Sequence, residues 1–415
     1  MTSLLIENAM LVWPGERSEL ACVLVLDGEI ASLNPSPYEI PASCERIDAK
    51  GLLLTPGLVD IHTHGVHEFS YERGPDDLVE GLAQLGRYGT TTVLPTLYNV
   101  MRRDTLANLE KLAAALDDVR GVDAPGFHLE GPFLALPGAG AATVSGDLTL
   151  LDELLSAAKG RALAMSVSPD TPNILPIIER LREHEITVFL THTRASVAET
   201  QAAMAAGARH ATHFYDVFPI PDETEPGVRP IGAVEAILAE PACSVDFICD
   251  GIHVDPLVIR MALVAKGWRG VVAITDSNIG AGRSDGIYDT PWGYPVRVQN
   301  GDAVRIHDVN HPLNGLLAGS ALTMDRALSN LIKWLLLPLH EIVAMATRNP
   351  ARIVGLQQKG TLEVGADADL VLWQRTENGL MAERTWVRGR CVYEQGKSIN
   401  STGQGKPVHD KLVSI

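Results

Sequence analysis

Six side chains suited to holding a metal ion stand where short apolar runs of this chain end. His62 and His64 close GLVDIHTH, Glu130 closes the apolar part of GFHLEG, His192 closes ITVFLTH, His213 closes ARHATH and Asp276 closes VVAITD. In an extended strand, residues two apart point to the same face, so one ion can reach both His62 and His64. Imidazole with carboxylate suits zinc first, with iron, manganese or cobalt also accepted by such a donor set. The set has room for one or two ions. A site of mixed His and Glu ligands with open positions is of the catalytic kind, because the ion lowers the pKa of a bound water to about 7. Each residue alone has a plainer use. Glu130 could favour a following helix N-terminus, His192 could be a hydrogen-bonded core histidine, and Asp276 could be an N-cap. His210, in the middle of its run, reads as structural.

The elements that must position these groups have a regular pattern. From about residue 57, apolar runs alternate with Ala/Leu-rich helical stretches such as 76–88 and 104–116, the texture of βα units around a parallel sheet. Eight such runs occur: GLVDIHTH, TTVLPT, GFHLEG, LAMSVSP, ITVFLTH, ARHATH, VDFICDG and VVAITD. Eight parallel strands imply a (β/α)8 TIM-like barrel over 56–349, whose C-terminal strand ends meet at one mouth. Five of the eight runs end in metal-competent residues, so the six groups converge there although they span more than half the chain. The segments 1–55 and 350–396 are β-textured, with PGE and DG turn signals, and are expected to build one small β-sandwich domain together. The stretch 397–415 reads as a polar tail.

Composition narrows the function classes. The 415 residues are 46% hydrophobic and 20% charged, which suits a well-buried α/β core. With 34 Lys and Arg against 51 Asp and Glu, the formal charge is −17, and such a field disfavours nucleic acid and anionic membrane surfaces as partners. Five scattered Cys without CxxC spacing argue against disulfides or a Cys-type zinc site. The start, MTSLLIENAMLVWPGE, carries Glu7 and no basic segment, so it does not read as a signal peptide. The longest apolar stretch, LIKWLLLPLHEIVAMA, is broken by Lys333, Pro338 and Glu341. A cytoplasmic location is expected.

The run TPGLVDIHTHG, followed by HLEGPFL, THFYD, ICDGIHVDP, AITDSNIGAG, LAGSALTMDRAL and GADADLVL, resembles the amidohydrolase superfamily and, within it, the group of N-acetylglucosamine-6-phosphate deacetylases. The resemblance implies that Glu130, His192 and His213 hold a main metal ion, that His62 and His64 hold a second, and that Asp276 is general base and acid. It implies that His253 contacts substrate and that the stretch 319–324, with Leu317 and Ala318 beside it, lies near the acetyl group. It further implies an N-acyl amino sugar as substrate and a homodimer. The chemistry fits the residues, since one carboxylate can take a proton from water and return it to the departing amine.

Three positions depart from the group's pattern, all in the substrate pocket. Ala142 stands where a histidine is usual, Asp216–Val217 replaces an Asn–Ala pair that helps bind phosphate, and Thr224 replaces a phosphate-binding arginine. These changes remove donors and add negative charge, the reverse of what a phosphate requires. Arg229 or Arg283 could compensate. The expectation is deacetylase chemistry on a non-phosphorylated or differently substituted N-acyl amine. An N-acyl-amino-acid deacylase or cyclic amidase is the nearest alternative, but such relatives often place a carboxylated lysine on the fourth strand, where LAMSVSP has none. A catalytically inactive scaffold would have shed ligands, and all six positions are present.

Overall fold

The computed structural model describes residues 3–138, 141–299, 303–399 and 405–407. Its centre is an eight-stranded parallel sheet, here β1 (Leu58–Thr63), β2 (Thr90–Leu97), β3 (Phe127–Glu130), β4 (Ala162–Val167), β5 (Thr187–Leu190), β6 (His210–Ala211), β7 (Ser244–Ile248) and β8 (Val271–Ile274). The strands pair in chain order from β1 to β8. A parallel bridge between Thr63 and Ser277, with Asp276 N donating to His62 O at 2.9 Å, brings the last strand back beside the first. The result is a (β/α)8 barrel, and its eight strands are the eight apolar runs of the sequence. Strands covered on both faces bury nearly every residue, all but Leu163, Thr187 and Ser244 here, which is why they read as apolar runs without alternation.

Helices pack outside the barrel and are started by local chemistry. Asp147 caps Leu148–Ala157 by accepting from the amides of Thr149 and Leu150. Ser196 and Glu199 form a capping box on Val197–Ala206. Asp255 caps Pro256–Lys266, whose first residue is a proline.

Both ends of the chain supply a second, β-rich unit. Ser3–Trp13, Arg17–Leu26, Glu29–Leu33, Glu45–Asp48 and Leu53–Pro56 join Leu370–Thr376, Gly379–Val387 and Arg390–Glu394 in one hydrogen-bonded sheet. Its outer strand, Glu29–Leu33, bonds to the approach of Leu370–Thr376, through Ile30 N to Ala366 O at 2.9 Å, so the sheet curls back around its own core of Ile6, Val23, Leu54, Leu370 and Trp386. The tail expected from 397 lies mostly outside the described residues, apart from paired Lys397–Ile399 and Gly405–Pro407.

One element was not anticipated. After β8 an antiparallel insert of Gly286–Tyr288, Val296–Gln299, Ala303–Ile306 and Leu317–Ser320 forms its own sheet. A separate small core of Val296, Val298, Val304 and Ile306 steadies it against the barrel mouth.

Candidate active site

The barrel brings five of the predicted residues around one carboxylate. Glu130 Oε1 lies 2.8 Å from His213 Nε2 and 3.2 Å from His192 Nε2. The other oxygen, Oε2, lies 3.6 Å from His62 Nε2 and 3.5 Å from His64 Nε2. One carboxylate thus faces two imidazole pairs, one with each oxygen. Asp276 Oδ1 closes the far side at 3.1 Å from His64 Nε2 and 3.5 Å from His62 Nε2. Two groups have ligand atoms close enough to share an ion: His62, Glu130 and His213, and His62, His64 and Asp276. His62 belongs to both, so the groups cut across the division that the resemblance implies, while His192 reaches the same Glu130 oxygen from the other flank.

Local backbone aims these groups inward. His192, His213 and Asp276 have φ of 47°, 33° and 47°, a left-handed conformation that side chains with a Cβ adopt at a cost of about 1–3 kcal/mol. Turning the chain just past the strand end directs the side chain over the barrel mouth. Two glycines permit close approach. A Cβ on Gly138 would stand 2.8 Å from His192 Cε1, and one on Gly319 would stand 3.0 Å from Asp276 O.

Supporting hydrogen bonds set two imidazoles in the form a metal needs. His64 Nδ1 donates to Thr96 O at 3.1 Å, which leaves Nε2 as a lone pair directed at the cluster. His62 Nδ1 meets Thr212 Oγ1 at 2.9 Å, and that hydroxyl donates to Asp246 Oδ1 at 3.2 Å. The hydroxyl therefore accepts from His62 Nδ1–H, and Nε2 is again the free lone pair. Asp246 also accepts from the His213 amide and from His210 Nε2, so His210 is a buried structural residue. These oriented nitrogens, with carboxylates and no thiolate, fit a hard or borderline divalent ion.

The charges are mutually dependent. Burial alone would raise the Glu130 carboxyl, but the His62 ring and the hydrogen bonds to His192 and His213 hold it well below the usual range. Burial likewise opposes ionisation of Asp276, yet the hydrogen bond to His64 and the surrounding imidazoles keep it low, so it is a carboxylate able to take a proton. Burial would lower His64, but Asp276 outweighs it and pushes the ring up to about 8, so an ion binding at Nε2 would displace a proton from it.

The cluster forms the floor of a cavity of about 590 Å³. His253, Asp216, Val217, Leu317 and Ala318, singled out in the sequence, line it. His253 is held by Asp250, whose Oδ2 accepts from Nδ1 at 2.6 Å. Ala142 does not line the cavity, although its neighbour Ala141 does. Arg229 is also outside it, 71% exposed and 3.3 Å from Glu235. Arg283 does not line it either and pairs with Glu68 at 2.8 Å. Sequence reasoning missed Tyr98, whose ring meets His64 edge-on at 5.1 Å, and the insert residues Trp292, Tyr294, Ile306, His311, Leu313 and Leu316. The alternation of Val296, Val298, Val304 and Ile306 about an Asn-Gly pair was the available hairpin signal for that insert.

A mouth of oriented imidazoles and an ionised aspartate on a (β/α)8 barrel is the architecture of a metal-dependent hydrolase. The family model described as the amidohydrolase family matches residues 53–392, and the chain belongs to that family, whose members depend on metal and hydrolyse amide bonds. It is similar to the N-acetylglucosamine-6-phosphate deacetylase of Vibrio furnissii, 30% identical over 400 residues, covering 94% of this chain and 96% of the relative. It is also similar to the N-acetylgalactosamine-6-phosphate deacetylase of Escherichia coli O157:H7, 29% identical over 375 residues, with 89% and 93% covered. The solved N-acetylglucosamine-6-phosphate deacetylase of Pasteurella multocida superposes with a TM-score of 0.81 at 25% identity, covering 94% of this chain and 99% of that one. Among the described residues, no helix is long and apolar enough to cross a membrane.

Proposed function

We propose that this protein is a divalent-metal-dependent deacylase that hydrolyses the N-acyl amide of an amino sugar lacking a 6-phosphate. The observation that carries the reaction is the Glu130 carboxylate between two imidazole pairs, with the ionised Asp276 beside them. The residues that would hold the metal are His62, His64, Glu130, His192 and His213, with zinc as the first choice for this donor set. When bound, such an ion polarises the amide carbonyl and acidifies a water molecule.

The chain's own groups do the rest. Asp276 accepts the proton of the attacking water as the C–O bond forms, then delivers it to nitrogen as the C–N bond breaks, releasing carboxylic acid and amine. It is ionised at neutral pH, as the first half-step requires. His253, fixed by Asp250, donates from Nε2 to a sugar hydroxyl, and Asp216 accepts from another.

Among the described residues, no Lys or Arg lines the cavity, and Asp216 adds a carboxylate there. A phosphate dianion would lose its hydration without gaining a charge-assisted partner. That supports a neutral sugar, in contrast to the phosphosugars named for the relatives. The test is a rate panel with metal-loaded protein on N-acetylglucosamine, N-acetylgalactosamine and their 6-phosphates. The neutral sugars are expected to have the higher kcat/KM. A preference for the 6-phosphates by an order of magnitude or more would overturn this assignment.

A further inference from the structure

The cavity is chemically two-sided. One wall, from the loops after β6 and β7, offers Asp216 and the His253–Asp250 pair. A second part of the lining comes from the insert and offers Trp292, Tyr294, Ile306, Leu313, Leu316 and Leu317. The insert wall is fixed beside the reacting centre, because Ser320 N, at the end of Leu317–Ser320, donates to Asp276 O at 2.8 Å.

Its aromatic residues are held as a surface. Trp292 and Tyr294 have ring centroids 5.9 Å apart, and Tyr294 lies 4.5 Å from His311. Thr290 Oγ1 ties the turn together, donating to Tyr294 O at 2.6 Å and accepting from Trp292 N at 3.2 Å. Leu313 and Leu316 line the cavity and remain 48% and 54% exposed, so apolar side chain is left uncovered at this part of the lining. Grouped exposed apolar side chains in a concave site mark a place that a ligand covers.

The two halves of an N-acyl amino sugar differ in the same way. The sugar carries hydroxyls that need hydrogen-bond partners, and the acyl chain beyond the carbonyl needs none. With the carbonyl over the imidazole cluster, the sugar matches the Asp216–His253 wall and the acyl chain matches the insert. A methyl group would leave nearly all of that insert wall uncovered. We infer that the insert is an acyl-chain subsite and that the preferred N-acyl group is longer than acetyl, an unbranched chain of butyryl to octanoyl length. The inference rests on the deacylase reading above and names the substrate class of that same site.

The test compares kcat/KM for N-acetyl-, N-butyryl-, N-hexanoyl- and N-octanoylglucosamine on the metal-loaded full chain. Burying each added methylene favours the longer chain by about fourfold, so N-butyryl is expected to exceed N-acetyl by on the order of tenfold. Trp292→Ala and Leu313→Asp, checked for native folding by circular dichroism, should each bring the butyryl-to-acetyl ratio close to one or below. Hydrolysis of N-acetylglucosamine with progressively slower turnover of the longer chains overturns the acyl subsite and leaves the deacylase reading standing. Unchanged ratios in both folded variants also overturn the subsite. Failure to hydrolyse any N-acylglucosamine overturns both readings together.

Discussion

Thr212→Val deletes one hydroxyl from a fully buried position while preserving side-chain shape, and it tests how the protein prepares His62 for metal. In the native chain, Thr212 Oγ1 is 2.9 Å from His62 Nδ1 and donates to Asp246 Oδ1 at 3.2 Å. Valine leaves the buried Nδ1–H without an acceptor, a loss of about 1–3 kcal/mol. Removing a partner that orients a metal-binding histidine typically weakens affinity by about 10–100-fold, or about 1.4–2.7 kcal/mol, so two separate estimates agree. Because His62 belongs to both candidate groups, the loss should appear in at least one bound ion. Competition with a fluorescent zinc chelator at neutral pH measures it for wild type, Thr212→Val and Thr212→Ser. The valine variant should lose about 10–100-fold in affinity, and the serine variant, which retains the hydroxyl, should stay near wild type. A natively folded Thr212→Val protein that binds every ion with wild-type affinity would refute the tautomer argument.

Other predictions concern the scaffold. Lys359 Nζ is buried among Asp123, Asp367 and Asp369 at 2.7, 2.8 and 2.9 Å, so Lys359→Met should cost about 3–5 kcal/mol in a urea unfolding experiment by leaving carboxylates uncompensated. Burial raises the Asp325 carboxyl from 3.8 to about 6. Below pH 3.8 both states hold the proton; as pH rises to 6 the unfolded state ionises first and stability falls, and above 6 the folded state bears the full penalty. Asp325→Asn should therefore gain over wild type by about 1.6 kcal/mol at pH 5 and about 3 kcal/mol at pH 8, read from urea midpoints; a gain independent of pH would contradict the assignment. Gly319 has φ of 75° and faces Asp276 O, so Gly319→Ala should lose about 1–2 kcal/mol of stability and lower kcat by displacing Asp276.

The barrel was legible because its chemistry is local. A parallel strand buried on both faces must be apolar throughout, and a functional strand end must then turn polar, so runs such as ITVFLTH announce both the strand and His192. The convergence of the candidate donors was legible for the same reason, since His, Glu and Asp at five of eight strand ends must meet at the one mouth. The supporting layer was not, because the Thr212–Asp246 and His64–Thr96 bonds depend on register between neighbouring strands. The insert was not legible from the βα pattern, because its alternating Val296, Val298, Val304 and Ile306 lie after β8, outside that repeat. Arg229 shows the limit of distance along the chain, since five residues beyond Thr224 it pairs with Glu235 on the surface instead of facing the cavity.

The most direct measurement follows acetate and free amine by NMR during incubation of N-acetylglucosamine with metal-loaded protein, chelated protein and metal-loaded Asp276→Asn. Equal amounts of acetate and glucosamine should form with the first alone, while the Asp276→Asn protein keeps its fold and its metal. Acetate released at wild-type rate by the Asp276→Asn protein, or no carboxylate and amine released by the metal-loaded wild type from any N-acyl amino sugar, would contradict the account.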